Sequence, residues 1–323
     1  MTINKLAVLT HGADAPGINA AIRAVVRMAA RHGWQTLGVR RGLQGLLAGE
    51  YALLGTRDVS GTIERGGTFL GTSNGDLEAA AVRTALRRLN EAQVDALVVI
   101  GGREAMQGAA ALASQGACVV GVPASIENDV CGIDQAIGVD TALNTALDAL
   151  DRIRDTASSQ QEAFVVEVAG QHSGHLALLT AIAGGAEVLC VPEQACDEQA
   201  VVAEVSSSYV RGKEHCIILV AEGARPGAQA LAEALDARRQ ETGFATRLIM
   251  LSHLQRGGSP LAQDRYLATT LGAAAVSRLA QGEQGALVGL VDGVVVTTPL
   301  SMVATERRVL DDNLLEMAQV LAR

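Results

Sequence analysis

Aromatic residues are scarce in this 323-residue chain: one Trp, three Tyr and three Phe, or 2% of the total. So few rings offer no stacking platform for bases, and a net charge of −9 at pH 7 disfavours nonspecific binding to nucleic acid. Long apolar runs are missing too. A bilayer span needs roughly 18 to 20 apolar residues, and the nearest candidate, Leu176 to Ala186, is broken by Thr and Gly and closed by Glu187. The N-terminus has no charged segment followed by a long apolar core, so the expectation is a soluble, cytoplasmic protein. No CxxC pair occurs among the five cysteines, Cys118, Cys131, Cys190, Cys196 and Cys216. Their odd number reads as reduced thiols in strands and loops, not as a disulfide or a structural zinc site. Any anionic ligand must therefore meet local clusters of Arg and Lys.

Apolar residues, by contrast, make up 49% of the chain, which excludes a disordered polymer. The length suits two domains or one large two-lobed α/β unit. Runs rich in Val, Ile and Leu recur at Leu6 to Leu9, Ala96 to Ile100, Cys118 to Val122, Phe164 to Val168, Cys216 to Val220 and Ala286 to Val291. Between the first two, Ile18, Ile22, Val25, Val26 and Ala29 form one buried stripe at helical spacing. Alternating strands and helices predict a parallel, doubly wound α/β architecture, whose ligands bind at the carboxyl ends of the strands.

Several such junctions are rich in Gly, Ser and Asp. Gly12 to Gly17 has the glycine spacing of a P-loop, but Ile18 and Asn19 stand where Lys and Ser/Thr would be needed. It can still aim backbone N–H groups at an anion, and a simple strand-to-helix turn fits the spacing equally well. Arg65 to Gly75 has small and hydroxyl residues where a backbone can approach a phosphate. Gly101-Gly102-Arg103-Glu104-Ala105 follows a buried strand and opens a helix, again an anion-binding arrangement. Ser125-Ile126-Glu127-Asn128-Asp129 puts two carboxylates on one post-strand loop, a pattern suited to proton abstraction or metal binding and equally to an Asx-rich turn. His172 and His175 have HxxH spacing but no third ligand, so a loop pair is the better reading. His253 to Pro260 combines His, Gln and Arg256 beside two glycines, a reasonable phosphate clamp. Arg23, Arg27 and Arg31 repeat along the first helix away from its apolar stripe, where an anion would relieve their repulsion.

Taken in order, these segments resemble the 6-phosphofructokinase family of the bacterial ATP-dependent type, from Leu6 to about Val291. The stretches Thr10 to Asn19, Arg65 to Gly71, Ala96 to Gly102, Ala136 to Thr141, Asp151 to Ser158, Val165 to Gly170, Ala181 to Glu193 and His253 to Pro260 look like that family's signatures. The resemblance implies a two-lobed phosphofructokinase-like fold, each lobe a largely parallel sheet flanked by helices. Residues 1–140 with about 256–305 would form a nucleotide-side lobe, and 141–255 with about 306–323 a sugar-phosphate-side lobe. It implies a homotetramer and a glycolytic transfer of the γ-phosphoryl of MgATP to the 1-hydroxyl of fructose 6-phosphate.

Site residues follow from the same resemblance. Glu222, Arg247, His253 and Arg256 look like the groups that hold the sugar and its 6-phosphate, with Arg247 reaching from a neighbouring subunit. Gly12, Asn74, Gly102, Arg103, Glu104, Ala105 and Gly108 fall at nucleotide positions, and Ser125, Glu127 and Asp129 at the catalytic loop. Several depart from the family pattern. Arg103 replaces the Asp associated with Mg²⁺, so no metal is expected there, because a hard cation needs an oxygen ligand. Glu104 replaces a glycine, Glu127 the catalytic Asp, Ser125 the preceding Thr, and Asn74 the transition-state Arg. Glu162 reverses the charge of a 6-phosphate Arg, and Gln171 replaces another Arg.

The family's effector positions keep suitable residues: Arg23, Arg27, Arg154, Gly185, Glu187, Arg211, Lys213 and His215. ADP, GDP or phosphoenolpyruvate would suit them, and ion pairing at a subunit interface is the alternative use. The functional expectation is thus a regulatory paralogue, weak or inactive as a kinase, in a homo-oligomer or mixed with an active paralogue. The alternatives are a working ATP-dependent 6-phosphofructokinase with Glu127 as base, or a kinase for another phosphorylated substrate.

Overall fold

The computed structural model describes residues 2–75 and 77–322. In chain order the elements are β1 (Lys5–His11), α1 (Ile18–Arg31), β2 (Gln35–Val39), α2 (Gly42–Ala48), β3 (Tyr51–Leu54), α3 (Ala79–Glu91), β4 (Ala96–Gly101), α4 (Arg103–Ser114) and β5 (Val119–Pro123). Then follow α5 (Val139–Gln160), β6 (Glu162–Val168), α6 (His175–Gly184), β7 (Val188–Cys190), α7 (Glu198–Val210), β8 (Cys216–Ala221), α8 (Ala228–Ala237), α9 (Arg239–Thr242) and β9 (Ala245–Met250). A 3-10 turn (Ser252–Arg256) leads to α10 (Ala262–Ala280), β10 (Ala286–Val291), β11 (Val294–Pro299), α11 (Leu300–Thr305) and α12 (Asp312–Leu321). The chain divides into two compact units, Met1–Thr141 with Arg256–Arg308, and Ala142–Gln255 with Val309–Arg323.

The first unit is built on a seven-stranded sheet of order β11-β10-β5-β4-β1-β2-β3. Its centre is parallel, and β4 and β5 are buried along their whole length, as apolar runs covered on both faces must be. The two edges are antiparallel: β3 returns against β2, and β11 against β10. β11 follows β10 by a tight two-residue turn and β3 returns to β2 after α2, so each antiparallel strand sits at an edge of a largely parallel sheet. On α1 the predicted stripe is buried, with Ile22, Val25 and Ala29 all at 0% exposure. From β1 the chain moves to β2 on one side; from β4 it moves to β5 on the other. The carboxyl ends of β1 and β4 therefore flank a topological switch point, where such sheets form a ligand crevice.

The second unit holds a four-stranded parallel sheet of order β7-β8-β6-β9. Alternate residues of β6 serve opposite layers. Phe164, Val166 and Val168 pack with Leu150, Ile153, Leu178 and Leu315, whereas Ala163 and Val165 pack with Val201, Val205, Leu231 and Phe244.

Cys190 and Cys196 form a disulfide, with Cα atoms 5.4 Å apart. This overturns the expectation of five reduced thiols; Cys118, Cys131 and Cys216 are free. Spacing rules miss the pair because it is made by a turn: β7 ends at Cys190, and the chain doubles back to enter α7 behind the Asp197 cap. Burial pushes the Cys216 thiol well above its ordinary pKa, which keeps it inert. No helix among the described residues is long and apolar enough to cross a membrane.

Candidate functional site

The strand ends of the first unit bring together Gly12, Gly102 and Ser125. Gly12 has φ +83°; its N–H donates to the Ser73 carbonyl at 2.9 Å, while Thr72 Oγ1 donates to the Gly12 carbonyl at 2.6 Å. The exposed Asn74 lies just beyond this clasp. At Gly101 a Cβ would collide with the His11 carbonyl, so only glycine lets β1 and β4 end this close together. Gly102 then caps α4 with no side-chain hydrogen bond, leaving the first-turn amides to a ligand. Glu104 is exposed in that first turn. Ala105 and Gly108 turn inward, Ala105 into the core and Gly108 toward Leu43, so they shape the helix rather than present side chains.

Arg103 projects along α4, away from the strand ends. Its Nη2 donates to the Ala304 carbonyl at the end of α11 at 3.4 Å, and Gln107 Nε2 donates to the same oxygen at 3.2 Å. Its Nε is buried without a partner. After β5, Ser125 Oγ donates to Asp129 Oδ1 at 2.6 Å, and the Glu127 N–H donates to Ser125 Oγ at 3.3 Å. Asn128, at φ +52° and 0% exposed, pins the loop by donating to the Asp134 carbonyl and accepting from the Ala136 N–H. The loop thus opens with a serine-capped turn, is pinned by Asn128, and presents two half-buried carboxylates.

Residues missed by sequence reasoning also line these ends. His11, 2% exposed, bonds Ser73 Oγ through Nδ1 at 3.2 Å and the Gly75 carbonyl through Nε2 at 2.8 Å, fixing the loop that carries Asn74. Its one available signal was a polar ring closing an apolar run.

In the second unit Glu222 follows β8, anchored by its N–H to the Val168 carbonyl, with Oε2 buried and unpartnered. Gln171 is exposed on a loop and His253 is exposed in the 3-10 turn. Arg247 on β9 donates through Nε and Nη2 to Glu162 Oε1 on β6 at 3.0 and 2.8 Å, a diagonal pair, since Glu162 sits opposite Ala245. Glu162 raises the Arg247 guanidinium above its ordinary pKa by hydrogen bond and charge. Arg256, in the first unit, likewise has a buried Nε without a partner.

Most of the effector candidates form a second group, at the α6–β7 end of the second unit. Lys213 Nζ binds Glu187 at 3.0 Å, whose other oxygen accepts from the Ile217 N–H at 2.7 Å. Arg154 donates to the Gly184 carbonyl beside Gly185, and His215 bonds Ser158 at 2.9 Å. Arg211 pairs with Glu204 at 2.7 Å. A cleft of about 370 Å³ alongside is lined by Glu187, Cys190, Cys196, Glu204, Leu315 and Gln319. Arg23 is half-buried and Arg27 exposed on α1 of the first unit.

The Phosphofructokinase family profile matches residues 5–279, and the chain belongs to that family. It is 47% identical to ATP-dependent 6-phosphofructokinase 1 of Thermus thermophilus, over 99% of this chain and 100% of the relative. It is 42% identical to the ATP-dependent 6-phosphofructokinase of Thermotoga petrophila, with the same coverage. The phosphofructokinase structure from Saccharomyces cerevisiae superposes with a TM-score of 0.84 at 32% identity, over 98% of this chain and 46% of that longer one.

Proposed function

We propose that this protein binds the phosphorylated ligands of its family and acts as a regulatory paralogue in which phosphoryl transfer from ATP to fructose 6-phosphate is weak or lost. The observation that carries the reading is Arg103: at the helix start facing the switch point there is a cation, directed to the Ala304 carbonyl, in place of a carboxylate. Nucleotide phosphates suit the uncapped first turn of α4. A divalent ion fits poorly. Arg103 supplies no oxygen, Asp129 is engaged by Ser125, and no cluster of three or more His, Cys, Asp or Glu among the described residues is placed to hold a metal. The buried, unpartnered Glu222 Oε2 and Arg256 Nε support retention of a polar ligand such as a sugar phosphate. In this reading the first unit takes the nucleotide phosphates and the second the sugar hydroxyls, within a tetramer of this chain or of this chain with an active paralogue. β9 lies at the sheet edge with Arg247 and Met250 exposed, which supports association.

The test is sugar-dependent ADP release from MgATP and fructose 6-phosphate, with Glu127→Ala as contamination control. Activity equal to the control supports the proposal; turnover in the usual kinase range of about 1–100 per second, lost in the control, overturns it. The second reading, an active kinase with Glu127 as base, draws support from the intact Ser125–Asp129 hydrogen bond. A changed substrate draws support from the Glu162–Arg247 pair. If that pair restrains phosphate binding, Glu162→Gln tightens fructose 6-phosphate binding roughly fivefold or more and steepens its salt dependence, as read by titration calorimetry. Unchanged affinity would remove Glu162 from the argument.

For the effector group, ADP raises the melting temperature by several degrees at millimolar concentration, and Arg23→Ala with Arg27→Ala abolishes the shift. Because Lys213 and Arg211 are already paired, the diphosphate must displace Glu187 or Glu204, so binding weakens with added salt. No shift in the unmodified protein would reduce these cations to ion pairs.

A further inference from the structure

The loop between the two bonded cysteines reaches a second element. Residues 191–196 leave β7 and end at α7, and the middle of the loop, Glu193 to Ala195, is exposed. Both Glu193 carboxylate oxygens accept from the Gly174 N–H, at 2.9 and 3.1 Å, where α6 begins. Val191 packs so tightly on Gly174 that a Cβ there would meet its side chain at 2.5 Å. A carboxylate at a helix N-terminus is favourable in itself, so the loop binds the Gly174 N–H while Ser173 Oγ accepts from the His175 N–H at 3.3 Å. Beyond Gly174 the segment 170–173 carries Gln171, and the Gly223 N–H donates to the Gly170 carbonyl next to Glu222. Apart from the Glu193 contact, the exposed part of the loop has one long hydrogen bond, from the Gln194 N–H to the Val191 carbonyl at 3.4 Å. At its far end the disulfide and a hydrogen bond from the Cys196 N–H to the Arg225 carbonyl at 3.3 Å hold the loop.

The geometry points to Cys190 and Cys196 as a thiol–disulfide exchange site, taking small dithiols and small disulfides as its reactants, whose oxidised form clasps Glu193 onto the start of α6 and steadies the Gln171 segment. Cys196 is the sulfur open to attack, being half-exposed, whereas Cys190 is 2% exposed in an apolar cluster. A dithiol thiolate attacks Cys196 Sγ; the protein S–S bond breaks, and Cys190 leaves as a thiolate and takes a proton. The second thiol of the reagent then attacks the mixed disulfide, releasing Cys196 as a thiol. Two electrons and two protons pass to the protein, and the reagent becomes a cyclic disulfide. Oxidation consumes one molecule of a small disulfide such as glutathione disulfide and releases two thiols. A short loop freed in this way regains chain entropy, which works against the Glu193 contact.

The experiment needs no ligand, so its outcome is independent of the proposed function. The full-length protein is equilibrated with glutathione disulfide or with dithiothreitol; thiols are counted after denaturation, and amide hydrogen exchange is read in the peptide covering residues 170–176. The expectation is three thiols oxidised and five reduced, with exchange at the Gly174 amide at least tenfold faster after reduction and β8 unchanged. Glu193→Ala keeps three thiols but exchanges fast in both states, and Cys196→Ser exchanges fast regardless of reagent. Five thiols after glutathione disulfide, or three with exchange unaltered by reduction, overturns the proposal, and both are read on the unmodified protein.

Discussion

Returning an oxygen donor and the lost charges to the phosphate site raises sugar-dependent ATP turnover by about 10³-fold or more: Arg103→Asp, Glu104→Gly, Asn74→Arg and Glu127→Asp, made together, restore the family pattern at four positions. The structure explains why the fold accepts this. Among the described residues Arg103 makes one long hydrogen bond, to the Ala304 carbonyl, and Gln107 continues to serve that oxygen when Arg103 is gone. Its buried Nε has no partner, so removing the side chain also removes an unsatisfied donor. An Asp at the first position of α4 sits favourably at the positive helix end. Glu104→Gly costs up to about 1 kcal/mol of helix propensity, which a two-unit protein of this size can absorb. The measurement is coupled ADP release, with circular dichroism to show that the variant is folded. A rise below tenfold in a folded variant would mean that these substitutions are not what limits catalysis, and the reading of the wild-type protein as a weak or inactive kinase would lose its basis.

The sequence made the skeleton of this site legible more readily than its wiring. β1, β4, β5, β6, β8 and β10 each carry a run rich in Val, Ile and Leu, and burial makes such runs conspicuous. β9 escapes detection because Arg247 and Met250 face solvent on an edge, and β7 because three residues hold too little pattern to register. β2 is interrupted by Gly38, where Leu54 and Leu70 fill the space that a side chain would take. Residue chemistry identifies the Ser125–Asp129 loop with Glu127 and Asp129, and the family resemblance adds Glu222, but neither gives the direction in which each points. Arg103 follows a glycine-rich strand end and is readily placed at the ligand; its hydrogen bond to a residue 201 positions away takes it to α11 instead. Glu162 and Arg247 are 85 positions apart, and only the β6–β9 register makes them partners. The cysteine pair fails for the same reason: spacing rules recognise motifs, whereas this bond depends on the path of a turn.

Asp264→Ala destabilises the protein by about 3–5 kcal/mol, the largest stability effect expected from a single polar substitution here. Asp264 is 0% exposed in the first turn of α10. Its oxygens accept from the Gly138 N–H at 2.7 Å, the Thr141 N–H at 2.8 Å and Thr141 Oγ1 at 2.6 Å. Thr141 Oγ1 in turn accepts from the Leu261 N–H at 3.0 Å, so one carboxylate ties the start of α10 to the segment leading out of the β5 loop. Alanine leaves two buried amides and a hydroxyl without their acceptor, in a place where Gly17 already packs against the Asp264 backbone and leaves little room for water. The pH dependence has a definite sign. Burial raises the Asp264 pKa above the ordinary carboxylate value, only partly opposed by its hydrogen bonds. The folded state then holds the proton to higher pH than the unfolded chain, so the stability linked to this group is greatest in acid and declines as pH rises toward the elevated pKa. The penalty for Asp264→Ala is accordingly larger near pH 4 than near pH 7. Urea unfolding of both proteins at the two pH values measures it; a loss below 1 kcal/mol would show that the carboxylate is not the tie the geometry describes, and a penalty that grows with pH would show that its hydrogen bonds outweigh burial and hold its folded pKa below the unfolded value.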